Sequence, residues 1–183
     1  KNKSNNIRHM MSHIQLIHPD DIPRFKALNV IAVFQPLWAY PDRYIKELTL
    51  PVLGPNRSKW NYPIRSVELT GAVISAGSDW TVTSLNPLHA IEVAITRQEP
   101  GNPFGEALNK EQSISLETIL RAYTLGGAYS IFKENDLGSI EKGKLADLVI
   151  IDRNLFTISS YDIHNTKVLM TIFNGEIVYE NKL

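Results

Sequence analysis

Apolar and polar residues alternate over residues 7–13 (IRHMMSH), with Ile7, His9, Met11 and His13 on one side and Arg8, Met10 and Ser12 on the other. A period of two predicts a short strand. Ile22, Phe25 and Leu28 then recur at helical spacing behind Pro19-Asp20-Asp21. Proline and acids suit the first turn of a helix, so residues 20–28 are predicted helical. Residues 30–34 (VIAVF) are a near-continuous apolar run, the pattern of a strand buried on both faces.

Periodicity fades over residues 36–63, where five prolines, Gly54 and the aromatics Trp38, Tyr40, Tyr44, Trp60 and Tyr62 predict a long ordered loop with room for one short helix. Such a loop is either a binding lid or an irregular insertion packed by its own aromatics. A helix near 64–71 and a strand at 72–78 follow, and Asn86-Pro87 opens a helix with Leu88, Ile91 and Ile95 in register. Residues 98–112 read as a surface loop. Ser115 caps a helix through Leu116, Ile119, Leu120 and Tyr123 that resumes after Gly126-Gly127 and ends near residue 132. Residues 145–152 predict a strand. Asn174-Gly175 between two apolar runs predicts a hairpin, because a type I′ turn needs positive φ at both central positions.

Strand–helix alternation implies parallel strands with right-handed crossovers, and the tail implies a separate antiparallel unit. We divide the chain at residues 1–136 and 137–183. Three parallel strands cannot close a (β/α)₈ barrel, which needs eight strands and roughly 250 residues. The 183 residues therefore predict an open α/β sheet with exposed edges, an arrangement that points to missing strands and a longer polypeptide.

Composition narrows the function classes. With 43% hydrophobic and 21% charged residues the chain can bury a core. Its 19 basic and 19 acidic residues cancel, so it lacks the footprint of a nucleic-acid or anionic-membrane binder. Having no cysteine, it offers no thiolate nucleophile or Cys-ligated metal. No run approaches the roughly 20 apolar residues of a membrane span, and no apolar stretch follows the polar residues 1–6. The expectation is a cytoplasmic protein.

In parallel sheets ligands bind at the C-terminal strand ends. There the first strand presents His13 and the third presents Gly77-Ser78-Asp79-Trp80, with Val73, Ser75, Gly77 and Asp79 on one face. An imidazole and a carboxylate at neighbouring strand ends are two ligands of a divalent metal site, or a hydrogen-bonded histidine and a turn aspartate. His9 is expected to pack inside, His18 to sit in a loop, and His89 and His164 to be solvated.

Several segments resemble the amidohydrolase superfamily, specifically the amidohydrolase family 3 branch. Residues 8–21 (RHMMSHIQLIHPDD) resemble its sixth-strand segment, which typically reads RHRIEHAQ. Residues 53–66 resemble the segment before its last barrel strand, and Ala76-Gly77-Ser78-Asp79-Trp80 is similar to its GSDW motif. Ala122-Tyr123-Thr124 and residues 138–149 resemble its downstream helix and its return into a small β-sandwich.

The resemblance implies the C-terminal part of a (β/α)₈ TIM-barrel metallohydrolase, about strands six to eight, followed by part of the sandwich. His13 matches a metal ligand, and Asp79 matches the aspartate that touches metal and acts as general base. Arg65 and Trp80 match positions on the substrate side. The implied cofactor is a divalent metal, with zinc the default for N/O ligands. The implied partners are an amide-type small molecule and the missing N-terminal part of the polypeptide, or another copy of the chain. Ser12 stands where the family usually has Glu. The alternative is a non-catalytic binding module of the same ancestry.

Overall fold

The computed structural model describes residues 6–181; residues 1–5, most of the polar opening stretch, lie outside the described residues, as do 182–183. Strands β1 (Met10–Ser12), β2 (Ile31–Phe34) and β3 (Ile74–Ala76) form a parallel sheet in that spatial order. Ser12 lies beside Val33, and Val33 beside Ser75. The apolar run of β2 occupies the centre, where Ile31, Ala32 and Phe34 are at most 1% exposed.

Strand β1 is shorter than its alternation predicts and exposed at all its residues. Arg8, His13 and Ile14 have φ of 54°, 73° and 47°. These left-handed residues close the extended run on both sides. His9 is consequently exposed, not interior.

Helix α1 (Ile22–Ala27) follows a 3₁₀ turn at Pro19–Asp21, whose first N–H donors include Asp20, bonded to His18 Nδ1 at 3.3 Å. The long loop expected over 36–63 is largely helical. A 3₁₀ turn at Pro36–Trp38 leads to a π-helical turn, Ile45–Thr49, that runs into α2 (Leu50–Ser58). The prolines that suggested loop do not break it. Pro51 sits in the first turn of α2, and Pro55 follows Gly54, whose φ of 67° starts a second helical piece. Pro55 thus stands where the missing proline N–H costs nothing, and Pro51 follows directly on the π-helical turn.

Helix α3 (Ile64–Glu68) returns the chain to β3. Helix α4 (Pro87–Thr96) is capped by Asn86, whose Oδ1 accepts the Leu88 N–H at 3.0 Å. It packs against the Pro36–Trp38 turn and the 3₁₀ turn Ser160–Asn165. Helix α5 (Leu116–Arg121), capped by Ser115, continues through a π-helical turn, Ala122–Gly126, into α6 (Gly127–Ser130). Gly126 is required there: a Cβ would lie 2.1 Å from the Ile74 carbonyl oxygen, so only glycine lets this segment cross β3 so closely.

The main core joins Phe25, Phe34, Ile64, Val67, Ile91 and Ile119 between the sheet and its helices. The tail is a second sheet, antiparallel, in the order β4 (Leu148–Ile151), β5 (Val168–Phe173), β6 (Glu176–Glu180). The β5–β6 hairpin turns at Asn174 and Gly175, with φ of 50° and 83°. Every residue of β6 is exposed. Among the described residues no helix is long and apolar enough to cross a membrane.

Candidate functional site

His13 follows β1 directly and keeps its backbone N–H on the Val33 carbonyl at 3.0 Å. Asp79 lies beyond β3, after Gly77 has donated to the Phe34 carbonyl at 3.0 Å. Both therefore leave the same end of the sheet, on the two strands that flank β2. Two strand spacings, about 10 Å, separate the strands they leave, and β2 ends between them.

Asp79 has a φ of 53° and is exposed. The loop around it is tied locally: the Val82 N–H donates to the Asp79 carbonyl at 2.8 Å, the Trp80 N–H to Ser78 Oγ at 3.2 Å, and Thr83 Oγ1 to the Ser78 carbonyl at 2.5 Å. Trp80 is 63% exposed beside it. Arg65 lies apart on α3, where its guanidinium donates to Glu68 Oε2 at 2.5 Å.

One contributor escaped sequence reasoning. Trp38 stacks on the His13 imidazole, with ring centroids 5.4 Å apart and planes within 2°. The only signal in the sequence was an aromatic two positions after Pro36. His13 and Asp79 offer an imidazole nitrogen and a carboxylate oxygen, donors that zinc takes. A catalytic zinc uses three protein ligands, and among the described residues no group of three His, Cys, Asp or Glu side chains converges. The donor types fit, as part of a set.

The buried charges lie elsewhere. Glu92 of α4, 0% exposed, accepts the backbone N–H of Gly101 at 2.7 Å and of His164 at 2.8 Å, and its Oε2 is 2.8 Å from His164 Nδ1. His164 is thus a structural partner and not the solvated residue expected. Arg97, also 0% exposed, donates to the carbonyls of Leu108 at 2.8 Å and of Tyr62 and Asn61 at 3.2 Å. Burial pushes its guanidinium down to about 10, which leaves it charged at neutral pH. These bonds anchor segment 61–62 and loop 98–112, which is less superficial than expected: Gln98, Leu108 and Gln112 are buried.

Among known proteins, the chain is 33% identical to Protein LONG AFTER FAR-RED 3 of Arabidopsis thaliana over 94% of its own length and 29% of that protein's. It superposes on a metal-dependent hydrolase from Pyrococcus horikoshii with a TM-score of 0.70 at 25% identity, covering 84% of this chain and 30% of that one. The zinc complex of atrazine chlorohydrolase TrzN from Arthrobacter aurescens shares the fold at a TM-score of 0.64 and 21% identity, covering 96% of this chain and 37% of that one. This chain therefore spans about a third of the length of the proteins it matches. The model of the amidohydrolase family matches residues 1–179, and the chain belongs to that family.

Proposed function

We propose that the chain is the C-terminal segment of a metal-dependent amidohydrolase that cleaves a C–N bond of amide type. It would supply strands six to eight of a (β/α)₈ barrel and, through β4–β6, part of a β-sandwich. The observation that carries this reading is the placement of His13 and Asp79 at the same end of one parallel sheet, on either side of β2, in a chain of this family. A divalent metal held by His13, Asp79 and ligands from the rest of the polypeptide would act as a Lewis acid and lower the pKa of a water toward about 7. Zinc is the proposed metal, being the ion in the TrzN complex.

Asp79 is the proposed general base. Its carboxylate accepts the proton of the attacking water and hands it to the leaving nitrogen as the C–N bond breaks. Exposure and a local loop tied by Ser78 leave that carboxylate free to reach both positions. Trp80, beside it, and Arg65, on α3, are proposed substrate-side residues. The open edge of β1 would be closed by the N-terminal part of the same polypeptide.

The test compares this chain with the longer polypeptide for bound metal and for hydrolysis of a panel of amides. The expected result is metal and activity in the longer form alone, with D79N lowering kcat about 10²- to 10⁴-fold and H13A lowering metal content. Hydrolysis at ordinary enzyme rates by the 183-residue chain by itself would overturn the partial-site reading. A longer polypeptide that is metal-free and inert would instead identify a binding module of amidohydrolase ancestry.

A further inference from the structure

Histidines that ligate metals usually give their second ring nitrogen to a carboxylate or carbonyl, which fixes the ring plane. Among the described residues no such bond reaches the His13 ring. Its neighbour in the chain is Ser12, exposed and too short to brace it. The contact made with that ring is the parallel, offset stack on Trp38, a favoured aromatic geometry.

The indole is itself firmly held. The Trp38 backbone N–H donates to the Gln35 carbonyl at 3.1 Å, closing the 3₁₀ turn at the exit of β2. Pro36 in that turn is fully buried. Trp38 packs on the cluster of Ala39, Ile45, Tyr62, Val93 and Leu108. The platform thus belongs to the core, and the ring resting on it belongs to the site.

We propose that Trp38 is the positioning residue for His13: its indole holds the imidazole in the plane from which a ring nitrogen reaches the metal. Stacking here does the work that a hydrogen-bonded partner does at most histidine ligands. The inference rests on the reading of His13 as a ligand.

The test uses the complete polypeptide that this reading requires, with W38L (apolar bulk without a π face), W38F (a π face retained) and H13A. The readouts are the Zn²⁺ dissociation constant by chelator competition, the visible spectrum of the Co²⁺-substituted protein, and the Tm of the metal-free protein. W38L is expected to weaken zinc binding roughly tenfold to a hundredfold, the range for lost supporting contacts, and to alter the Co²⁺ bands. W38F should recover most of the affinity. Unchanged zinc affinity and Co²⁺ spectrum in W38L, whatever its Tm, would overturn the proposal, as would W38F binding no better than W38L. Wild-type affinity in H13A would overturn the ligand reading itself.

Discussion

The polar groups of α4 and its C-cap and those at the strand ends obey opposite rules. Glu92 and Arg97 are fully buried, and each makes three contacts to backbone or ring groups brought from distant segments. Removing either would strand buried donors or acceptors, so this neighbourhood specifies the fold. His13 and Asp79 are exposed and are positioned by the strands that end beneath them. Groups so placed add little to stability and are free to engage something outside the chain. The contrast teaches that burial and chemistry have been allotted to different residues of one sheet-and-helix frame.

The sharpest way to break this comparison is to remove the guanidinium of Arg97. R97A leaves the Leu108 carbonyl without its donor, while the Tyr62 carbonyl keeps the Ile64 N–H at 2.8 Å and the Asn61 carbonyl keeps Asn109 Nδ2 at 3.3 Å. The stranded acceptor costs about 1–3 kcal/mol and the void left by a fully buried side chain adds to it, so a loss of about 2–4 kcal/mol is expected by denaturant unfolding. A loss below about 1 kcal/mol would mean that water replaces the side chain and that the network is not a fold determinant.

Acid should act more gently, through the partly exposed pairs. The Arg8 hydrogen bond holds the Glu134 carboxyl down to about 2, and Arg153 with the Lys167 N–H holds Asp152 near about 2. The native state therefore takes up these protons less readily than the unfolded chain. Their contribution is complete above the ordinary carboxyl range and fades as the pH falls toward about 2. The double variant E134Q/D152N should flatten the fall of Tm with acidification; a parallel curve, merely displaced, would exclude these pairs as its source.

The smallest effect belongs to the site. D79N should change unfolding free energy by no more than about 0.5 kcal/mol, as expected for an exposed position, and H13A, which gives up the stack on Trp38, by about 0.5–1.5 kcal/mol. A larger loss by calorimetry would show that the strand ends help hold the fold, and the division of labour would fail.

What could be read from the amino acids followed locality. The run of β2, the caps at Asn86 and Ser115 and the Asn174-Gly175 turn announce themselves within a few positions, because the chemistry that forms them is contained there. The helical stretch through α2 is hidden because Pro51 follows a π-helical turn and Pro55 follows a break at Gly54, and neither shows in the pattern of apolar positions. Glu92 and Arg97 looked like ordinary helix charges, since their partners lie up to 72 positions away. At the site, strand-end position and then motif resemblance point to His13 and Asp79, whereas the stack on Trp38 needs the exit of β2 to be folded before it exists.

The Ala122–Gly126 turn lies against β3 on the side away from β2, where Gly126 meets the outward-pointing Ile74 carbonyl, while β1 has no partner on its outer side among the described residues. A strand that joins at β1 meets unpaired backbone donors and acceptors. One that joins at β3 must first displace the turn. Growth of this sheet is therefore directional: it adds on the β1 side and is held shut on the other.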